Sequence, residues 1–256
     1  MTIRSLLVAA AVAIPTIASA ADMPAKAPGA PASTWSCGAF ERVTKGLLYE
    51  GGFFGTREWS TMTFVGCSQP KGGWDFDIIG FVPLKGGVAD EVDFEGGYTW
   101  VSGNWSLRAG AGYWNVQAVP GSRFQIWDTR IQINYQIDLG KGLALTPWVR
   151  LNHQYLDAPS FNDRDFNIGA GGVLKAALGT WGNASIEAAH FYHTKSFGPA
   201  QHVTAVTAEM MFDLGTHHGF AVSAGPWGRA TWGNILGTPS NHDFNSSFGV
   251  RVAAFN

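Results

Sequence analysis

Between Val92 and Tyr113 the chain alternates with a period of two. Val92, Phe94, Gly96, Tyr98 and Trp100 are interleaved with Asp93, Glu95, Gly97 and Thr99. After Ser102-Gly103-Asn104 the same rhythm resumes, with Trp105, Leu107, Ala109, Ala111 and Tyr113 against Ser106, Arg108, Gly110, Gly112 and Trp114. Two alternating runs joined by Gly-Asn predict a β-hairpin. One face is apolar with aromatics at its ends, and the other is charged and glycine-rich. At roughly 10 residues per pass, that is the pattern of a hairpin crossing a bilayer.

The alternation extends over the chain from Arg42 onward and predicts about twelve strands, with the first near residues 42–53 and the second near 58–67. The third covers 73–82, and the sixth sets Trp127, Ile131, Ile133 and Tyr135 against Asp128, Arg130, Gln132 and Asn134. The seventh sets Leu145, Val149, Leu151 and Tyr155 against Trp148, Arg150, Asn152 and Gln154. The eighth and ninth put Lys175 and Glu187 on the polar face, and the last three cover 204–214, 220–229 and 244–254. Pro147 and Pro226 fall inside predicted strands, where each removes a ladder bond and calls for a bulge.

Connections alternate in length. Short turns are predicted at 68–72, 102–104, 138–142, 179–182 and 215–219, and longer polar loops at 83–91, 117–121, 157–164, 194–201 and 230–242; only the first connection, 54–57, breaks the rule. Short turns at one end and longer loops at the other are the habit of outer-membrane barrels. Soluble sandwiches also have one apolar face. Here, however, Gly97, Gly110, Gly112, Gly169 and Gly171 sit on the polar face, as suits a confined lumen, and Tyr and Trp collect at strand ends, as interface girdles do. The fold expected is all-β: a closed, antiparallel, up-and-down transmembrane barrel.

Composition agrees. Only 14% of residues are charged and there are 33 glycines and 11 tryptophans, against ~25% charged in soluble domains. The formal net charge of −2 gives no broad basic surface for nucleic acid. Residues 1–20 carry Arg4, a short apolar run and Ala18-Ser19-Ala20, the pattern of a cleaved secretory signal peptide. Residues 21–40 begin with a Pro/Ala-rich stretch expected to lie in the periplasm, and 41–256 form the barrel. Cys37 and Cys67, in an exported chain, are a possible disulfide tying that segment to the barrel floor, or two free thiols.

The polar face supplies the candidate chemistry. Glu50, Asp75, Asp77, Asp93, Glu95, Asp128, Glu187, Glu209 and Asp213 are acidic candidates, and Arg108, Arg130, Arg150, Lys175 and Arg229 are basic ones. Neighbouring strands suggest Glu95 with Arg108 and Lys175 with Glu187. Such charges either brace a barrel wall or set the field across a narrow pore. Trp114, Trp148, Phe191 and Trp227 face the same way, either narrowing the lumen or stacking on a solute. The pore-lining set expected is Glu95, Arg108, Arg130, Trp148, Arg150, Lys175, Glu187 and Arg229. His190 and His193 fall on opposite faces of a strand and do not suggest a shared metal ion, and no cofactor is implied.

Two enzyme patterns known on such barrels find only partial matches in the chain. No His-x-Ser occurs, and His202-Val203-Thr204 lacks the serine of the outer-membrane phospholipase. Asp163, Asp165, His242 and Asp243, placed in outer loops, only loosely mimic an outer-membrane protease; Asp163 and Asp165 serve equally as a Ca²⁺ or lipopolysaccharide bridge.

In architecture the chain resembles the small monomeric Gram-negative outer-membrane channels of about twelve strands, such as the nucleoside-channel and acidic-sugar-channel families. The resemblance runs from Arg42 to the end and rests on no shared motif, so no substrate or binding residue transfers with it. It implies a porin-like monomer in the outer membrane, in contact with lipid and lipopolysaccharide, that passes small polar solutes. The rival readings are a non-conducting structural or partner-binding barrel and an outer-membrane hydrolase.

Overall fold

The structure, a computed structural model, describes residues 35–48, 55–84, 90–119, 122–158, 161–194, 201–233 and 243–256. The alternating runs become β1 (Ser36–Leu48), β2 (Gly55–Ser68), β3 (Gly73–Pro83), β4 (Asp90–Ser102), β5 (Trp105–Val119), β6 (Ser122–Tyr135) and β7 (Ile137–Gly140). They continue as β8 (Leu143–Ala158), β9 (Phe161–Ala177), β10 (Gly182–His193), β11 (Gln201–His217), β12 (Phe220–Gly233) and β13 (Asp243–Phe255). Consecutive strands pair antiparallel and β13 pairs back onto β1, so the sheet has no free edge. β6 and β7 are two pieces of one pass, both laid along β8, which makes a closed barrel of twelve passes. No described helix is long and apolar enough to cross a membrane.

Proline explains the split pass. Asn134 pairs with Trp148 and Ile137 with Leu145 in one unbroken register, and the missing rungs fall opposite Pro147, which has no N–H to give. Pro226 acts alike: Glu209↔Trp227 and Phe212↔Ala224 keep one register while the two rungs between them are absent. The expected bulges are therefore not at the prolines. Register shifts lie instead at Lys45/Leu47, Val116/Val119, Asp138/Gly140 and Asp213/Gly215.

β1 begins at Ser36, upstream of the expected boundary at residue 41, and ends at Leu48; residues 49–54, with Glu50, lie outside the described residues, as do residues 1–34. Alternation misleads here because the outer face of β1 and β2 is mixed. Glu41 faces outward, and its carboxylate accepts a bond from Thr63 Oγ1.

Elsewhere the outer face is a hydrocarbon belt. Phe94, Ile131 and Val250 are each about half exposed (49%, 50% and 53%). Aromatic rings close the belt at both ends. At the short-turn end Trp74 meets Tyr98 at 5.1 Å and Trp105 meets Tyr135 at 4.6 Å; at the other end Tyr113 meets Trp127 at 4.7 Å. Amphipathic rings at both rims suit the two interfaces of a bilayer. The short turns at 69–72, 103–104, 141–142, 178–181 and 218–219 gather at one end. Gly103 turns the β4–β5 hairpin with φ +57°, a conformation that favours glycine.

The start of β1 and the end of β13 meet at this same end. Cys37 and Cys67 are directly opposed on β1 and β2, 3.9 Å apart at Cα, and are bonded. The bridge therefore joins two barrel strands and does not fasten a leading segment. Asn256 closes the seam by accepting from Ser36 Oγ at 3.1 Å and from the Cys37 N–H at 2.9 Å. The disulfide closes a loop of separation 30. Replacing both cysteines with serine is expected to lower unfolding free energy by about 2–3 kcal/mol, chiefly by freeing the unfolded chain. Urea unfolding in detergent micelles checks it, and adding reductant to the native protein should reproduce the loss.

Candidate functional site

Every strand turns its second set of side chains toward the barrel interior, and the ionisable residues sort into sectors. On β3–β6, Arg108 grips Asp75 with two nitrogens: Nε donates at 3.0–3.1 Å and Nη2 donates to the same carboxylate. The guanidinium reaches across β4 beside Gly97 of that strand and Gly110 of β5. A Cβ on Gly97 or Gly110 would come within 3.1 Å of it. Arg130 lies between Glu95, to which it donates at 3.3 and 3.4 Å, and Asp128 at 3.2 Å. The expected Glu95–Arg108 pair is thus corrected. Across the hairpin Glu95 faces Gly112 while Arg108 faces Thr99, and each charge reaches over a glycine to the strand beyond.

On β8–β10, Arg150 is buried with its guanidinium 5.3 Å from the Trp148 ring and 5.1 Å from Phe191, a cation–π arrangement. Gly169 and Gly171 make room for those rings, since a Cβ would sit 2.7 Å from Phe191 or 2.8 Å from Trp148. Trp148 Nε1 donates to Glu187 at 3.1 Å. Glu187 faces Val173 across the ladder and Lys175 faces Ser185, so the two expected partners are diagonal neighbours, two rungs apart on the same face.

Nearer the longer loops, Asp165 and His193 form a buried pair, with Asp165 Oδ2 3.1 Å from His193 Nδ1, and Thr194 Oγ1 donates to the other carboxylate oxygen at 3.1 Å. Asp165 therefore belongs to a strand and faces inward; the outer-loop roles considered for it fall away. Asp163 lies in β9 and Asp243 begins β13, while His242 is outside the described residues. His193 Nε2 faces the amide of Asn167 at 3.3 Å.

On β11–β13 and β1, Glu209 receives Arg251 at 2.7 Å and has Arg42 at 3.7 Å. Arg42 lies over Trp227 (4.6 Å) and Arg251 over Phe40 (4.2 Å). Arg229 Nε donates to Thr207 Oγ1 at 2.8 Å. Toward the short-turn end this sector becomes apolar: Phe40, Met211 and Ala253 pack with Met62, Phe64 and Phe255. All eight residues expected to line a pore face the interior, and so do Trp114 and Trp227. Arg42, Arg251, Glu91 and the Asp165–His193 pair were missed. Arg251 was legible, since it lies between the outward Val250 and Val252. Glu91 and Asp165 were assigned to loops or their edges because the strands outrun their apolar pattern.

The interior is electrically lopsided. The wall from β3 to β6 holds Asp75, Asp77, Glu91, Asp93, Glu95 and Asp128 against Arg108 and Arg130. Among the described side chains, the wall from β8 round to β1 holds Arg42, Arg150, Lys175, Arg229 and Arg251 against Asp165, Glu187, Glu209 and Asp213. A formal excess of acid therefore faces a formal excess of base. Among the described residues no cluster of three or more His, Cys, Asp or Glu could hold a metal ion.

No family model matches the sequence, and no curated protein matches it. Several solved structures resemble the fold. The NanC porin is 12% identical, over 84% of this chain and 98% of its own, with a TM-score of 0.49. The KdgM porin is 8% identical over 85% and 97%, with a TM-score of 0.49. The β domain of the Bordetella autotransporter BrkA is 11% identical over 86% and 97%, with a TM-score of 0.44. Identities this low define no shared family and do not choose between channel and autotransporter domain. The barrel itself is established by its closed register.

Proposed function

We propose that the chain is a passive, porin-like channel for small polar solutes in the outer membrane, working as a monomer with no cofactor and no catalytic step. The observation that carries this reading is the inner wall, where ionisable side chains from three sectors face inward while the exterior presents hydrocarbon between two aromatic rings. Charge inside a barrel is sustained where water reaches it. Twelve passes lie between the eight that side chains fill and the sixteen of wide porins, so the passage is narrow. Acid facing base across such a passage orients dipolar solutes and slows large or apolar ones.

Folded protein added to a planar bilayer is expected to give stepwise conductance, and liposomes containing it should swell faster in a pentose than in a disaccharide. One feature favours the non-conducting alternative: the apolar inner patch around Phe40, Phe64 and Met211. Silence in both assays would make that patch a plug and the charges wall braces.

A further inference from the structure

The strongest unassigned constellation lies on the outer wall, at the longer-loop end of β10 and β11. His190 and His202 both point away from the barrel and are exposed, with His190 Nε2 3.3 Å from His202 Nδ1. The other nitrogen of His190, Nδ1, lies 2.9 Å from Thr204 Oγ1. The His202 ring rests against Tyr192, with centroids 4.8 Å apart. Alternation produces this grouping. His190 faces Thr204 across the ladder and Tyr192 faces His202, so the two histidines are diagonal neighbours on one face. His193, on the opposite face of β10, takes no part.

We propose that His190 and His202 form a two-imidazole site for a zinc-type divalent ion on the outer surface of the barrel. The spacing carries the inference. Two nitrogens each ~2.0–2.1 Å from a tetrahedral zinc are about 3.3 Å apart, the separation found here. Thr204 supplies the second requirement. With Nδ1–H donating to its hydroxyl, His190 keeps its Nε2 lone pair for the metal, the usual way a neighbour fixes a ligand's tautomer. Without metal, His202 Nδ1–H donates to the His190 Nε2 lone pair; on binding, that proton passes through solvent to His202 Nε2, so both facing nitrogens present lone pairs to the ion. Imidazole donors select zinc, nickel or copper over calcium or magnesium, which prefer oxygen. The remaining coordination positions open outward, level with Tyr192 in the aromatic rim, where water or a phosphate of a neighbouring lipid completes the shell.

The test uses the full chain without an affinity tag, folded in micelles, with Co²⁺ as spectroscopic probe and Zn²⁺ as competitor. Native protein is expected to bind a single ion, with excess Mg²⁺ or Ca²⁺ failing to displace it. His190→Gln and His202→Gln should each weaken binding by more than ~10-fold, and Thr204→Val by about 10-fold through loss of the orienting bond. His218→Gln, in a short turn at the far end, should bind as the native protein does. All substituted side chains are on the outer surface or in a turn, and retained barrel circular dichroism verifies folding. Native protein that takes up no zinc, or a His190→Gln, His202→Gln double variant that takes up as much as native, overturns the proposal.

Discussion

Gly225→Ala is expected to prevent the barrel from closing along the β11–β12 seam. A Cβ at Gly225 would lie 1.7 Å from the Met210 carbonyl oxygen and 2.8 Å from its carbon, and both are backbone atoms that no rotamer can move aside. Relief requires the two strands to separate, at a point where Pro226 has already removed ladder bonds between Glu209↔Trp227 and Phe212↔Ala224. The expected loss is at least about 3 kcal/mol, at the severe end for a single methyl group. Refolding into micelles, followed by the heat-dependent shift in gel mobility that folded barrels show, measures it. Gly228→Ala is the control: its added Cβ would find its nearest neighbour, the Ser247 carbonyl oxygen, at 3.7 Å. It should cost under about 1 kcal/mol. Equal behaviour of the two variants would mean that close backbone approach is not what Gly225 provides.

Most of the wall was legible in the sequence because a bilayer and a lumen impose opposite demands on alternate residues. Val92 to Tyr113 declared its two faces, and the structure keeps them residue for residue. The partners of the charges were harder to read, although the information was partly present. A two-residue turn at Gly103-Asn104 pairs Ser102 with Trp105 and so fixes Glu95 opposite Gly112. What no sequence pattern announced is that Arg108 and Arg130 would each reach past a glycine-lined strand to Asp75 and Glu95. Inward glycine is the trace of that reach: the residue is small because a neighbour's side chain occupies its space. Pro147 was visible, but its effect had to be seen in the ladder, as an interrupted pass without a change of register. β1 was misplaced because Glu41, Thr61 and Thr63 put polar groups on the outer face, which erases the alternation on which the reading depended.

Arg150→Glu is expected to make the channel more cation-selective. Arg150 belongs to the wall with the formal excess of base, and it lies against Trp148 and Phe191 at 7% exposure. Substitution removes a cation there and adds an anion, so the acid-rich wall from β3 to β6 no longer has its full counterweight. With that wall no longer basic, the transverse field weakens and the lumen as a whole attracts cations. Under a tenfold KCl gradient the reversal potential should move by roughly 10–20 mV toward the potassium value, out of a full scale of ~59 mV for a monovalent ion. The cation–π contacts are lost as well, at about 1–2 kcal/mol, so folding must be verified before currents are compared. Arg150→Lys keeps the charge but loses the planar stack, and should leave selectivity near native while lowering stability. If Arg150→Glu gives open channels whose reversal potential has not moved, the ion path does not pass Arg150 and the charges on β8–β10 are braces. If its potential moves but that of Arg150→Lys moves equally, the aromatic packing, rather than the charge, sets the passage.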